Sequence, residues 1–501
     1  MAKQNAKGVS PAIVLDRAQR GPLYLQIVAG LRRAIEQGQL TQGARLAATR
    51  VLAEDWGVSR NTVVQAFDQL IAEGYVIAKT GDGSYVADAL PAAPGLVPSA
   101  AAGSVRFSYP LGNLSRRGRS LVTRHECLDG ENPMPFRPDL PDLREFPLRT
   151  WLRLMNEVSG GLKGDVLAGV CSIGHPPLRK AIAHHVAATR GLSCKPDQVI
   201  ITMGSQQSLD LITRLLLDRG DPVWMEEPGY VGTRAVLQAN GCNVQFVPVD
   251  GEGLDVEAGI RHRVVPRLIC ISPARQYPTG AIMTARRAAA LLDVAVRTGA
   301  WILEDDYDSS MFFSGPPPRA LFSSHPAARV IFSGTFSKTL VPSLRLGYLI
   351  LPEDLVASFQ AARVVSQGHT SLLEQMVLAE MIGRGLYAAH VRRMRVLYRS
   401  RQLALAAGLV RHLDYCVPAE ELRSGMHLVL HLRDGVDDHA AAAIMHQHRI
   451  VARPLSPYFG AQPARQGLLL GFAAFPVEVI ERATAHLGPL RPLLARAGQP
   501  T

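Results

Sequence analysis

From Pro22 onward, Leu23, Ile27, Leu31 and Ile35 recur every four residues, which sets them on one face of a helix that Pro22 opens and Gly38 stops. Thr49 is suited to cap a second, short helix carrying Val51, Leu52 and Trp56 and ending at Gly57. Ser59 is suited to cap a third, with Val63, Val64, Phe67, Leu70 and Ile71 facing inward and Gly74 as its end. The period then shortens. Tyr75 and Ile77 alternate, Thr80-Gly81-Asp82-Gly83 reads as a turn, and Ser84-Tyr85-Val86 returns. The pattern over 21–87 therefore predicts three helices followed by a β-hairpin.

Residues 1–20 lack a period and read as a flexible arm. Residues 88–104 are rich in Pro, Ala, Gly and Ser and read as a linker, which extends to about 135. Within it Arg116, Arg117, Arg119 and Arg124 form either a phosphate-binding patch or a solvated basic loop. From Phe136 the text changes to helical stretches alternating with compact apolar runs: Val199–Thr202, Val223–Met225, Leu268–Ile271, Trp301–Leu303 and Val330–Phe332. Such runs predict a parallel or mixed sheet covered on both faces. After about Leu372 the pattern is helix-rich, with alternating strands at Met426–Leu432 and Gly467–Phe472, as expected for a smaller α+β subdomain over 372–501.

Composition narrows the function classes. The 501 residues are 47% hydrophobic and 19% charged, enough apolar content for large cores and too much for global disorder. The net charge of +11 favours anionic partners. The six cysteines have no metal-ligand spacing, so reduced thiols, a cytoplasmic location and no metal are expected. The N-terminal residues carry no signal-peptide pattern, and no run of about 18 apolar residues suggests a membrane span.

Three helices and a hairpin are the layout of a winged helix-turn-helix, and a tight turn at Gly57 would present the third helix to a DNA major groove. Its opening residues Ser59, Arg60, Asn61 and Thr62 are suited to phosphates and base edges, Arg50 to clamping the backbone, and the wing glycines Gly81 and Gly83 to approaching the minor groove. The other reading is a helical interaction domain with a hairpin. The match is longer than the bare pattern, however. Residues 22–87 resemble the GntR-family winged helix, departing from it at Ala47 and Ala48, where that family usually has Pro-Ser.

A second chemistry centres on Lys338, in a small-residue turn after an apolar strand. A desolvated lysine can attack an aldehyde and hold it as a Schiff base. Pyridoxal 5'-phosphate then needs a phosphate site, a carboxylate at the ring nitrogen and a flat partner for the ring. Gly204-Ser205-Gln206 opens a helix and offers N–H groups to a phosphate, with Thr335, Ser337 and Arg345 adding hydroxyls and charge. Glu304-Asp305-Asp306-Tyr307 follows another strand and offers the carboxylate, with Tyr307 for the ring hydroxyl. Tyr230, in EEPGY, is suited to stacking.

These motifs carry a resemblance. FRPDLPDLREFPLRTWLRL, EEPGY, SPARQYPTG, EDDYDS and SGTFSKTLVPSLRLGY are similar to those of MocR/GabR-like regulators, in which a GntR winged helix joins a fold-type I, class I aminotransferase domain. The resemblance covers most of the chain and places the aminotransferase-like domain over 136–501. It implies that Lys338 forms the Schiff base, Asp305 pairs with the pyridine nitrogen, Tyr307 meets the ring hydroxyl, Tyr230 stacks, and Ser205, Gln206, Thr335, Ser337 and Arg345 hold the phosphate. It also implies a head-to-tail homodimer, double-stranded DNA as a partner, and an amine or amino-acid effector, or the cofactor itself, as the signal. The alternatives are an active aminotransferase carrying a DNA module and a structural DNA-binding dimer without cofactor. Three segments depart from the family. Gly169 and Cys171 replace a tyrosine and an aspartate, Arg275 replaces a histidine, and Leu469 stands where the enzymes keep their substrate-carboxylate arginine. Arg453 or Arg234 is then the candidate for an effector carboxylate.

Overall fold

The computed structural model describes residues 8–17, 21–79, 82–88, 115, 118, 134–162, 173–325, 327–366, 370–417, 421–461 and 465–494. Arg116, Arg117, Arg119, Arg124, Gly169, Cys171 and Gly81 lie outside the described residues. Two compact units divide the chain, Met1–Tyr109 and Pro110–Thr501, and the division falls within the expected linker.

The first unit holds α1 (Leu23–Glu36), α2 (Thr49–Asp55), α3 (Arg60–Ala72), β1 (Val76–Lys79) and β2 (Gly83–Val86). Ile27, Leu31 and Ile35 of α1 pack on Val63, Phe67 and Leu70 of α3, with Trp56 closing the core. Gly57 turns the chain between α2 and α3 at φ 62°, a conformation that a side chain disfavours. Ser59 caps α3, its Oγ accepting from Thr62 N at 3.2 Å. Four details differ from the sequence expectation. Thr49 is the first helical residue, and the cap position is Ala48, which has no side chain to donate or accept. Ala66, not Ile71, completes the inward stripe of α3: Val63, Ala66, Phe67 and Leu70 follow the three- and four-residue helical spacing, and Ile71 lies off that face and is exposed. In β1 the inward residue is Val76, and Ile77 faces out. The expected flexible arm is docked over residues 8–17: Val9 N donates to Arg45 O at 2.8 Å, Trp56 Nε1 to Pro11 O at 3.1 Å, and Arg17 Nη2 to Gly57 O at 2.7 Å. In each of these bonds at least one partner is a backbone group, which carries no composition signal.

The second unit is built on an eight-stranded sheet: β3 (Val199–Thr202), β4 (Pro222–Glu227), β5 (Asn243–Asp250), β6 (Gly253–Leu254), β7 (Leu268–Ile271), β8 (Trp301–Asp306), β9 (Arg329–Thr335) and β10 (Gly347–Ile350). Their order is β3-β10-β9-β8-β7-β4-β5-β6. Strands β5, β4, β7, β8 and β9 run parallel, and β10 is antiparallel to both β9 and β3. Consecutive residues point to opposite faces, so Val223 and Met225 join one apolar layer and Trp224 the other. Both faces are buried, which is why these strands read as unbroken apolar runs.

The covering helices are α4 (Leu148–Gly160), α5 (Pro176–Arg190), α6 (Ser205–Leu216), α7 (Val231–Ala239), α8 (Val256–Arg261), α9 (Ala285–Thr298), α10 (Glu353–Ser366) and α11 (Leu372–Gly383). Residues of α6, α7 and α10 cover one face; α8 and α9, with α4, α5 and α11, cover the other. A smaller body follows, with α12 (Leu386–Leu413), β11 (His427–His431), α13 (Asp438–Gln447), β12 (Arg453–Pro454), β13 (Gly467–Gly471) and α14 (Val477–Ala485). Its sheet has the order β11-β13-β12 and is antiparallel throughout.

The expected boundary near 372 moves. Val377, Leu378 and Met381 of α11 pack with Val199 and Phe332 of the large sheet, so α11 belongs to the larger body. In the other direction, Phe136 packs with Leu428, Leu470 and Phe472 of the smaller body. The segment 136–139 is fastened there by Gly471 N donating to Phe136 O at 2.7 Å. A side chain at Gly471 would overlap the carbonyl of Arg137.

Candidate cofactor and nucleic-acid sites

Because β3, β4, β7, β8 and β9 point the same way, their C-terminal ends open on one crevice, where ligands of open α/β sheets gather. A cavity of about 210 Å³ occupies it. After β3 it is lined by Gly204, Ser205 and Gln206, and after β4 by Tyr230. Ser272 and Tyr277 follow β7, and Asp305 and Tyr307 come from β8. Thr335, Ser337 and Lys338 come from the end of β9 and its turn, and Pro342 and Arg345 from the approach to β10. Asp139 enters from the segment fastened to the smaller body. All ten residues expected around the cofactor thus face one cavity. The sequence reading did not name Asp139, Ser272, Tyr277 and Pro342. Tyr277 ends a strand-turn as Tyr230 and Tyr307 do, so the same argument would have found it. Asp139 has no local sign, since it meets Lys338 across 199 positions of chain.

The phosphate end of such a site is local backbone. Gly204, at φ 98°, turns the chain sharply from β3 into α6, and the first N–H groups of a helix have no acceptor within it. Arg345 sits at φ 49°, a left-handed conformation that costs a non-glycine residue roughly 1 kcal/mol or more and aims its side chain at the cavity. Gly347 lets β10 close against β3 and β9, for a Cβ there would come within 2.9 Å of Gly204 Cα.

The ring end is electrostatic. Burial, with repulsion from Asp306, pushes Asp305 up to about 7 although Lys338 draws it down. Asp305 Oδ1 and the Tyr307 hydroxyl are both buried without a hydrogen-bond partner among the described residues. Buried polar atoms left this way cost about 1–3 kcal/mol each, so two of them converging on one cavity call for a ligand with polar atoms there. Glu226 lies behind the site and is fully buried. Burial pushes it up to about 8, and its oxygens accept from Ser272 N and Gln276 Nε2. Tyr277 is an aromatic hub, edge-on to Tyr230 at 5.8 Å, Tyr307 at 5.6 Å and Tyr458 at 5.4 Å.

Lys338 Nζ donates to the carbonyl of Asp139 at 3.1 Å and lies 3.7 Å from its Oδ1. Arg453 Nη1 reaches Asp139 Oδ2 at 3.2 Å, and the Tyr277 hydroxyl donates to the same oxygen. Burial would push the Asp139 carboxyl up, but Lys338, His427 and Arg453 hold it well below the usual carboxylate range.

The two candidates for an effector carboxylate fare differently. Arg453 stands directly across from Leu469 in the β12–β13 pair, and Asp139 holds its guanidinium. Arg234 is buried and donates to the carbonyls of Pro457 and Phe459; it does not line the cavity. Arg275 is also spent elsewhere. It pairs with Asp308 at 3.4 Å and donates to His427 O at 3.1 Å, tying the sheet to the smaller body.

On the first unit, Arg50, Arg60 and Asn61 are exposed at one end of α2 and α3. Ser59 and Thr62 share a 2.8 Å hydroxyl contact at the cap, so their oxygens are committed to holding the helix start. Gly83 pairs with Lys79 where the hairpin begins its return. Arg45, exposed and paired with Asp82, adds a cation at the wing that the sequence reading did not single out.

Comparison with known proteins agrees with both halves. Residues 23–86 match the family described as bacterial regulatory proteins, gntR family, and residues 140–487 match aminotransferase class I and II. The chain is 39% identical over 464 residues to the probable rhizopine catabolism regulatory protein MocR of Rhizobium meliloti, covering 92% of each. The chain belongs to the MocR-like family of transcriptional regulators. It is also 29% identical to the pyridoxine biosynthesis transcriptional regulator PdxR of Corynebacterium glutamicum, over 95% of this chain and 97% of that protein. Among solved structures, the α-aminoadipate aminotransferase LysN of Thermus thermophilus superposes with a TM-score of 0.64 at 27% identity, covering 72% of this chain and 92% of that one.

The family fixes a GntR winged helix, which implies DNA binding, and a fold-type I aminotransferase domain, which implies pyridoxal 5'-phosphate. The residues fit that group. Unpartnered Asp305 Oδ1 suits a protonated ring nitrogen, the unpartnered Tyr307 hydroxyl suits the ring hydroxyl, and the start of α6 with Arg345 suits the phosphate. No described helix is long and apolar enough to cross a membrane.

Proposed function

We propose that this chain is a cytoplasmic regulator that binds an operator through α3 and the wing, and reads an amine through the crevice around Lys338. The observation that carries the reading is the pair of unpartnered buried atoms, Asp305 Oδ1 and Tyr307 OH, in a cavity that also holds Lys338. Bound there, pyridoxal phosphate supplies an aldehyde that condenses with amines. The protein's own part is binding and orientation: Asp305 anchors the ring edge, Tyr230 and Tyr277 flank it, and the start of α6 with Arg345 holds the phosphate. Lys338 offers the amine that an effector amine competes with. A head-to-tail homodimer would place two winged helices on one operator, and effector binding shifts their arrangement only by its differential affinity for the two states.

The test is an absorbance spectrum of the purified protein with pyridoxal phosphate beside Lys338→Ala, followed by operator binding with and without added amines. A visible band confined to the wild type, with amine-dependent operator affinity, is the expected result. A colourless wild type that binds DNA normally would refute the cofactor half. Full turnover with an amino donor and a 2-oxo acid would favour the aminotransferase reading, which the likeness to transaminases supports. Operator affinity that responds to pyridoxal phosphate alone would make the cofactor itself the signal.

A further inference from the structure

Among the described residues, each arginine placed to meet an effector carboxylate is already engaged. Arg234 is held by two carbonyls, Arg275 by Asp308, and Arg453 by Asp139. Leu469, opposite Arg453, is buried and apolar. Arg345 lies with Gly204 and Ser205 at the phosphate end. Asp139, by contrast, is a carboxylate that lines the cavity itself, 18% exposed, beside the Lys338 amine. Its backbone is at φ 65°, and its segment is fixed by the Gly471–Phe136 hydrogen bond, so it is a placed residue rather than a swinging one.

We propose that Asp139 fills the position an amino acid's carboxylate would need on Arg453, so that the pocket selects an amine without a carboxylate, carrying hydroxyl or other donor groups near its nitrogen. This rests on the amine-sensing reading above. A carboxylated effector would bring a second negative charge against Asp139 and would find Arg453 neutralised. A hydroxylated amine would instead donate to Asp139 Oδ1 or Oδ2, while Tyr277 and Arg453 keep the carboxylate ionised and oriented.

The experiment uses the full-length, cofactor-loaded protein and two matched probe pairs, ethanolamine against glycine and serinol against serine. Binding is read by calorimetry and by the shift of the cofactor's visible absorbance. The wild type is expected to bind each amino alcohol at least about tenfold tighter than its amino acid, the size of a one-charge conflict in a partly screened site. Asp139→Asn is expected to reverse or abolish that preference by tightening the amino acids. Asparagine tolerates positive φ as aspartate does, so the segment is preserved. Arg453→Met is the second variant: with Asp139 unopposed, affinity for putrescine is expected to rise.

Tighter binding of glycine or serine by the wild type would overturn the proposal, for it would mean that Asp139 yields Arg453 to the ligand. An Asp139→Asn change that raises both members of a pair equally would overturn it too. Failure of all probes in all three proteins, with the cofactor's band intact, would overturn this inference while leaving the cofactor-binding regulator standing.

Discussion

Replacing Asp305 by Asn tests whether the crevice holds the cofactor's ring through a charge. Asn keeps the shape and one acceptor but removes the negative charge. Asp305 Oδ1 is buried and unpartnered, and burial with Asp306 raises the carboxyl to about 7 although Lys338 draws it down. A protonated pyridine nitrogen at Oδ1 would form a charge-assisted hydrogen bond, worth about 1.5–3 kcal/mol net. At 1.4 kcal/mol per factor of ten, the variant should lose about ten- to hundredfold in affinity for pyridoxal phosphate. The assay is titration of the cofactor-free protein with pyridoxal phosphate, followed by visible absorbance. Thermal unfolding without cofactor checks that the variant folds, and it should be no less stable, since a buried carboxylate with one unpartnered oxygen has been made neutral. Glu226→Gln is the control. Glu226 is as deeply buried, but its oxygens already have Ser272 and Gln276 as donors, so cofactor affinity should stay within about twofold. Equal affinity of Asp305→Asn and wild type would refute the placement of the ring nitrogen.

Four further predictions concern other residues. Arg275→Met leaves the Asp308 carboxyl buried without its guanidinium partner and should cost about 3–5 kcal/mol in denaturant unfolding; a loss under about 1 kcal/mol would show the pair to be dispensable. Glu226, Glu304 and Asp308 are raised by burial to about 8, 7 and 7, so between their unfolded values and those values the folded chain holds more protons than the unfolded one. Their contribution to stability is therefore full in acid and falls as pH rises from about 5 to 8, and Glu226→Gln should flatten that fall in melts across this range. In the winged helix, Ser59→Ala should cost the unit about 1 kcal/mol through loss of the α3 cap. Arg60→Ala should instead weaken operator binding by about 1–3 kcal/mol with the melting temperature unchanged; an unchanged operator affinity would remove α3 from the interface.

Much of the site was legible in the sequence because its parts are local. Gly204-Ser205-Gln206, Asp305 with Tyr307, and Thr335 to Lys338 each follow an apolar run, and the end of a buried strand is where a parallel sheet presents side chains. The winged helix was legible for a similar reason: Ser59, Gly57 and the four-residue spacing of α1 act within a turn or two. Errors came where a neighbour decides the outcome. Ala66 replaced Ile71 in the stripe, α11 packed on the large sheet rather than the small one, and Pro11 and Val9 docked through backbone groups.

By itself the sequence determined the two modules, the order of their elements, and the residue kinds gathered around Lys338, since period, caps and strand ends are set by near neighbours. Only the tertiary structure decided which charges meet. Arg453 was named for an effector carboxylate, yet Asp139 reaches it from 314 positions away in the chain. Arg234 and Arg275 were drawn to carbonyls and to Asp308. Electrostatic pairing acts across a few ångströms of space, and no spacing along the chain records which segments will share them.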